Sequence, residues 1–192
     1  MRTHKATLLP FLLLAAFTLA PAMAQSGASR PTLGKELIIE LEVPAPLHEV
    51  WRAFTTSNGL ETWLAPKAVV DLRPGGDWIV SFPGGNSTGG GTVVSFVPEK
   101  ELVLSALAPD QFPHVRAERT RAVFTFEPRG DATIVRLTQT GWKTGREWDD
   151  AYEYLLAGNA ELMSALHRRF VAGPIDWSKL AAPPPSGAGE QK

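Results

Sequence analysis

The chain has 192 residues, a formal net charge of −1 and no cysteine. The balanced charge, without a run of Lys and Arg, argues against a nucleic acid as partner. The lack of cysteine excludes disulfides, thiol nucleophiles and thiolate metal sites. A chain of this length fits one domain that buries about two-thirds of its unfolded surface.

The first 24 residues show the three-part pattern of a secretory signal peptide. Arg2 and Lys5 give a positive start, residues 6–20 form an apolar run, and small residues precede a cleavage site after Ala24. The run is shorter than the about 20 apolar residues that a membrane-spanning helix needs, so we expect no stable membrane anchor. We therefore expect residues 1–24 to be removed and the protein to be exported, either to the periplasm or out of the cell.

Composition divides the remaining chain into three parts. Residues 25–35 are small and polar, which predicts a flexible leader. Residues 36–177 carry the periodic apolar patterns of one folded domain. Residues 178–192 are rich in Pro, Gly, Ala and polar side chains, which predicts a disordered tail.

The folded part begins with a strand and two short helices. Leu37 to Val43 alternate in polarity, which predicts a half-buried strand. Leu47 to Thr55 have the spacing of an amphipathic helix. A second short helix follows, for which Asn58 and Glu61 form the expected capping box.

A series of strands comes next, because the apolar residues now alternate with period two. The predicted strands are residues 68–73, 78–82, 92–97, 102–107, 120–127 and 133–139. Residues 83–91 are expected to form a glycine-rich connection, and residues 109–115 a longer loop.

One long helix, Arg146 to Val171, closes the domain, and Gly173-Pro174 ends it. Its apolar residues recur at three- and four-residue steps, and its length is about 38 Å. An antiparallel meander with one apolar-faced helix packs best when the sheet curls around that helix. We therefore predict an α+β fold in which a curved antiparallel sheet of six to seven strands wraps around the long C-terminal helix, with two short helices after the first strand.

Several runs in this order resemble a known superfamily. They are VPAPLHEVWRAFTTSNGLETWLAP, DLRPGGDW, GTVVSFVPEKEL and TQTGW, followed by the long amphipathic helix. From about Leu37 to Phe170 the chain resembles the SRPBCC (START-like) superfamily, and within it the family related to the activator of the heat-shock-protein-ninety ATPase. The resemblance implies a helix-grip fold with a hydrophobic cavity between the sheet and the long helix.

The same resemblance implies a range of functions. Members bind lipids, sterols or other apolar small molecules, some act as cyclases or dehydratases, and others only interact with proteins. The superfamily has no fixed catalytic set, so no residue is assigned as catalytic. Typical members of the narrower family are cytosolic, so the export signal argues against direct work on the intracellular chaperone.

The middle of the long helix gives the clearest sign of a cavity. Gly158 and Asn159 interrupt the apolar face, although glycine costs about 1 kcal/mol relative to alanine inside a helix. The gap either leaves room for a ligand that Asn159 orients, or lets a strand approach while Asn159 faces water. Our candidates for the cavity wall are Trp63, Trp78, Val80, Phe82, Phe124, Trp142, Trp148, Tyr152, Leu155, Asn159 and Leu162.

We predict no metal site and no cofactor. His48, His114 and His167 are far apart in sequence and none belongs to a metal-binding motif. The preferred interpretation is an exported protein that binds an apolar small molecule. Two alternatives remain: a cyclase- or dehydratase-like enzyme, which needs a titratable group facing the cavity, and a protein-interaction or stress-response module with a filled interior. The sequence leaves the oligomeric state open.

Overall fold

The computed structural model describes residues 34–82 and 88–180, which contain seven strands and five helices. The strands are β1 (Leu37–Val43), β2 (Lys67–Val70), β3 (Asp77–Ser81), β4 (Thr88–Val97), β5 (Glu101–Ala106), β6 (Thr120–Arg129) and β7 (Ala132–Thr140). The helices are α1 (Leu47–Thr55), α2 (Ser57–Glu61), α3 (Pro113–Glu118), α4 (Arg146–Ala172) and α5 (Trp177–Leu180).

The strands form one antiparallel sheet in the order β1-β7-β6-β5-β4-β3-β2. The first strand therefore pairs with the last, and the remaining strands follow as a meander. The sheet curves around α4, which makes its most extensive contacts with β1. The predicted α+β helix-grip fold, with two short helices after the first strand, is confirmed.

An aromatic cluster fills the space between α1 and the middle of the sheet. Phe54 is fully buried, and its ring lies 5.1 Å from those of Trp63, Phe124 and Phe126. Trp51 packs edge-on against Phe126 at 5.3 Å. Tilted and edge-to-face contacts at these distances are the favoured geometries of aromatic pairs. We call these five residues the aromatic cluster.

The last turn of α1 is satisfied by side chains. Its final carbonyl groups lack partners within the helix, as at any helix end. The indole Nε1 of Trp63 donates to the carbonyl of Ala53 at 3.0 Å, and that of Trp78 donates to the carbonyl of Phe54 at 2.7 Å. Because each indole is tied to the backbone of α1, these two tryptophans have fixed positions.

Several local predictions are wrong. Thr56, not Asn58, caps α2 by accepting a hydrogen bond from the Gly59 N–H at 2.9 Å. Glu61 instead accepts a hydrogen bond from the Ala68 N–H at 3.1 Å. Thr and Asn are both good N-caps, so the sequence alone did not separate two neighbouring candidates.

Two predicted loops also contain regular structure. Residues 88–91 of the expected glycine-rich connection are the start of β4, and residues 83–87 lie outside the described residues. The loop predicted over residues 109–115 leads into α3, which has a proline in its first turn. Proline suits that position because its missing N–H would have no helical partner there.

The ends of the chain are described in part. The last helix, α5, runs to Leu180, so residues 178–180, which were predicted as the start of the tail, are helical. The predicted signal peptide, residues 1–24, lies outside the described residues, as do most of the leader and residues 181–192. Within residues 34–82 and 88–180, no helix is long and apolar enough to cross a membrane.

Candidate ligand cavity

A cavity of about 420 Å³ lies between α4 and the inner face of the sheet, on the side of β3 and β4. Its volume is in the range of pockets that hold a small organic ligand. The wall is mainly apolar and includes Trp63, Trp78, Val80, Phe82, Phe124, Leu155 and Leu162. Because α4 packs mainly against β1, at one edge of the sheet, a space remains between α4 and the strands β3 and β4.

Glycine residues of β4 allow β3 and β4 to approach each other closely at the cavity. Trp78 pairs across the strands with Gly91, and Val80 pairs with Gly89. Gly90 has φ of +112°, and a Cβ added to it would lie 2.0 Å from the Trp78 carbonyl oxygen. A side chain at this position would clash with the backbone, so the close approach of β3 and β4 depends on glycine.

Gly158 keeps the opposite wall open. It lies on the cavity side of α4, and a Cβ added to it would meet nothing within 4 Å. No close backbone approach therefore explains the glycine, and the alternative that it admits a strand is wrong. Gly158 is exposed at this point of the wall, and its missing side chain leaves open space next to the cavity.

Two polar side chains of the wall, Gln139 and Asn159, belong to a chain of hydrogen bonds that ends at the buried Thr120, which does not line the cavity. Gln139 Nε2 donates to Thr120 Oγ1 at 2.7 Å, and Asn159 Nδ2 donates to Gln139 Oε1 at 2.8 Å. Gln139 is only 3% exposed and extends the inner face of β7 beyond Val135 and Leu137. A buried amide is tolerated when its hydrogen bonds are satisfied, as they are here.

The charged groups of the wall lie at the rim. Tyr154, Glu161 and Arg168 are the titratable residues among the described lining residues, and all three are exposed. Arg168 and Glu161 form an ion pair with each other at 2.5 Å. All three side chains are in contact with water. The other described lining residues are apolar or neutral, and the neutral polar ones are Thr88, Gln139 and Asn159.

The segment after α4 closes one end of the cavity. Ile175 and Trp177 are on its wall. The Ile175 N–H donates to the carbonyl of Thr62 at 2.9 Å, and the Trp177 indole donates to the carbonyl of Glu61 at 2.5 Å. These bonds attach the end of the domain to α2, so this wall is held in place by two separate contacts.

The structure places the predicted wall residues in two groups. Eight of them lie on the cavity wall: Trp63, Trp78, Val80, Phe82, Phe124, Leu155, Asn159 and Leu162. The other three are not among its lining residues, so their prediction as cavity residues is wrong: Trp142, Trp148 and Tyr152.

These three residues form a structural cluster at the start of α4. The rings of Trp142 and Tyr152 meet edge-on at 5.0 Å. The Tyr152 hydroxyl donates to the carbonyl of Glu36 at 2.9 Å, and the Trp142 indole donates to that of Gln139 at 3.0 Å. Trp148, in the first turn of α4, is buried. Tyr152 and Trp148 belong to the same helical stripe as Leu155, but they pack at the start of the helix and do not line the cavity.

Sequence reasoning missed Gln139, the rim residues and the wall after α4. A signal existed for Gln139, because Val135, Leu137 and Gln139 fall on one face of a strand with period two. The residues Tyr154, Glu161 and Arg168 are seven apart in sequence and flank the apolar stripe, but exposed polar residues have the same spacing on many helices. No signal in the sequence distinguishes them.

His114 is held by a carboxylate and is not a lining residue. Glu147 Oε1 accepts hydrogen bonds from the N–H groups of His114 and Val115 at 2.7 and 3.1 Å, and Oε2 pairs with the His114 ring. Partial desolvation opposes ionisation, but the bond to the His114 ring and the two backbone bonds outweigh it and lower the pKa of Glu147 from its ordinary 4.5. The pair fastens α3 to the start of α4.

A curved antiparallel sheet around a long helix, with an apolar cavity between them, defines a helix-grip protein. Residues 44–167 match the family described as Activator of Hsp90 ATPase homolog 1-like protein, and the chain belongs to this family. The resemblance inferred from the sequence is confirmed. No curated protein sequence matches the chain.

Solved structures show the same fold. MLL2253 from Mesorhizobium loti has a TM-score of 0.61 and 22% identity, over 73% of this chain and 100% of that one. The Aha1 dimer from Colwellia psychrerythraea has a TM-score of 0.60 and 19% identity, over 72% and 98%. CalU16 from Micromonospora echinospora has a TM-score of 0.54 and 23% identity, over 76% and 79%. At these identities the likeness establishes the fold alone.

Proposed function

We propose that this protein is an exported binding protein for an apolar small molecule. The observation that carries the proposal is the cavity of about 420 Å³ under α4. Its wall includes aromatic side chains held by hydrogen bonds to α1, and Gly158 leaves open space on the side of α4. Proteins with this fold commonly bind hydrophobic ligands or act in polyketide-cyclase-like roles.

Burial of apolar surface would drive binding. Transfer of apolar surface from water contributes about 25 cal/mol per Å². The two tryptophans tied to α1 present that surface in a fixed arrangement, so little side-chain entropy is lost when a ligand binds. A preformed apolar pocket with a few polar groups is the usual form of a small-molecule site.

The character of the wall favours binding over acid–base catalysis. A catalytic acid or base needs a titratable group inside the pocket, in reach of the substrate. Here the titratable lining residues among those described are exposed at the rim, and two of them neutralise each other. The interior offers neutral amides, which can orient a ligand but do not exchange protons near neutral pH.

Export is the second part of the proposal, and the sequence of residues 1–24 supports it. Intact mass measurement of the protein from the exported fraction tests it directly. Cleavage after Ala24 predicts a chain that starts at Gln25. An uncleaved chain found only in the cytoplasm would contradict export and leave the proposed binding untouched.

The proposed ligand can be sought by native mass spectrometry of the protein purified from the cells that make it. We expect a co-purifying apolar molecule at stoichiometric level, whose mass names its chemical class. A bare protein that also fails to bind the apolar probe N-phenyl-1-naphthylamine would contradict the binding function.

A further inference from the structure

The hydrogen-bond chain Thr120–Gln139–Asn159 places polar groups on a face of the sheet that is otherwise apolar. An apolar side chain at position 139 would continue the inner face of β7, where Val135 and Leu137 are buried. Instead the strand places a buried amide there. Its two polar ends are used by residues from two other elements, β6 and α4. The chain therefore fixes the position of Asn159 on the wall.

One polar atom of Asn159, the amide oxygen Oδ1, takes no part in the hydrogen bonds that link Thr120, Gln139 and Asn159. Its Nδ2 donates to Gln139, and within the part of the chain that the structure describes its Oδ1 accepts no hydrogen bond. No buried side-chain nitrogen or oxygen among the described residues is left without a partner, so Oδ1 is accessible. Because Asn159 is a lining residue, this atom is available to a ligand in the cavity.

The three side chains can exchange their donor and acceptor roles without the loss of a hydrogen bond. The Thr120 hydroxyl either accepts from or donates to Gln139, and both amides can turn by 180°. In one arrangement Asn159 offers its oxygen, and in the other it offers an N–H. A hydroxyl group fits both, because it donates one hydrogen bond and also accepts.

We propose that Asn159 binds the hydroxyl group of an otherwise apolar ligand, while Gln139 and Thr120 act as positioning residues. This inference rests on the proposed binding function and names the class of ligand. A neutral group is required because the neighbouring wall is apolar, and an unpaired charge there would be costly to desolvate. The charged rim residues Glu161 and Arg168 already pair with each other.

Two probes of nearly equal shape test the proposal: 2-naphthol and 2-methylnaphthalene, which differ by a hydroxyl in place of a methyl group. Their affinities are measured by displacement of N-phenyl-1-naphthylamine. Because a methyl group gains more than a hydroxyl group on leaving water, the quantity compared between variants is the preference, the ratio of the two affinities, 2-naphthol over 2-methylnaphthalene. We expect Asn159→Leu to lower this ratio about fivefold, the effect of one net hydrogen bond, and still to bind both compounds. Ser164→Leu, on the same helix and exposed, should leave the ratio unchanged.

The positioning role has its own test. Thr120→Val should reduce the preference for 2-naphthol, and Thr120→Ser, which keeps the hydroxyl, should restore it. If Thr120→Ser behaves like Thr120→Val, the positioning role is wrong.

The outcomes separate this inference from the function on which it rests. An affinity ratio in Asn159→Leu equal to that of the unaltered protein would overturn the hydroxyl assignment alone. Failure of both probes to bind would overturn the binding function as well.

Discussion

The aromatic cluster and the cavity lie side by side under one sheet and share Trp63 and Phe124, yet they differ in how the space beside them is filled. In the cluster, α1 supplies Phe54 and β6 supplies Phe124 and Phe126, whose rings pack at 5.1 Å. At the cavity, α4 has Gly158, where an added Cβ would meet nothing within 4 Å. Large side chains therefore fill one region, and the lack of a side chain on α4 leaves space in the other.

The two regions are nevertheless connected. Trp63 and Trp78 belong to the cavity wall, and both donate their indole hydrogen bonds to α1, the helix that carries the cluster. Helix α1 therefore holds two residues of the cavity wall in position. Changes at the cluster residues that do not line the cavity, such as Phe54, should act on stability. Added side chains at Gly158 should act on binding, and changes at Trp63 and Trp78 should act on both.

The largest expected effect comes from Phe54→Ala, which removes the centre of the aromatic cluster. Loss of a fully buried phenylalanine should lower the free energy of unfolding by about 3–5 kcal/mol. Phe82→Ala is the matched control at the cavity rim, where Phe82 is 38% exposed, and should cost about 1 kcal/mol. Urea denaturation measures both. Similar losses for the two variants would contradict the distinction between packed and open regions.

Trp78→Phe tests the connection between them. It leaves the carbonyl of Phe54 without its indole donor, which should lower the free energy of unfolding by about 1–3 kcal/mol. It should also weaken binding of N-phenyl-1-naphthylamine, because the wall loses its fixed ring. Trp142→Phe removes a comparable indole bond, to the carbonyl of Gln139, away from the cavity. It should destabilise the protein without changing probe binding.

Gly158→Ala should be a stabilising change. The added methyl group enters open space, and alanine is favoured over glycine inside a helix by about 1 kcal/mol. Ala157→Gly, at the neighbouring exposed position, should lower stability by a similar amount. Thermal unfolding of the pair measures the effect, and a destabilised Gly158→Ala would show that this part of the helix is packed against other groups.

The smallest effect concerns pH. The lowered pKa of Glu147 means that the folded protein favours the ionised carboxylate, so its contribution is present above pH 4.5 and is lost as the pH falls through the lowered value. Glu147→Gln should therefore reduce Tm at pH 7, and the difference from the unaltered protein should shrink in acid. Glu153→Gln, an exposed change on the same helix, is the control. A difference that stays constant with pH would contradict this explanation.

The sequence was sufficient for the fold because most strands and the long helix α4 have a strong period. Alternation defined the strands, and the three- and four-residue steps of α4 defined the helix with its ends. The failures were local: α3 is one short helix with little periodicity, and the start of β4 is a run of glycines that reads as a loop. Glycine has low strand propensity, and only the close approach to Trp78 explains its place in the strand.

The candidate site was predictable only in part, for a geometric reason. Periodicity identifies which face of α4 is apolar, but that face spans two environments. Tyr152 and Trp148 pack at the start of the helix, whereas Leu155, Asn159 and Leu162 reach the cavity. Which strand lies opposite a given residue depends on where the helix crosses the sheet, and local spacing carries no information on that position.

The central claim is that the space beside Gly158 binds an apolar molecule. Titration of N-phenyl-1-naphthylamine into Gly158→Leu and Ala157→Leu tests it most directly. The same side chain is added at two adjacent exposed positions, of which Gly158 lines the cavity and Ala157 does not. We predict that Gly158→Leu stays folded and loses binding, while Ala157→Leu binds like the unaltered protein. Equal binding by both variants would contradict the claim.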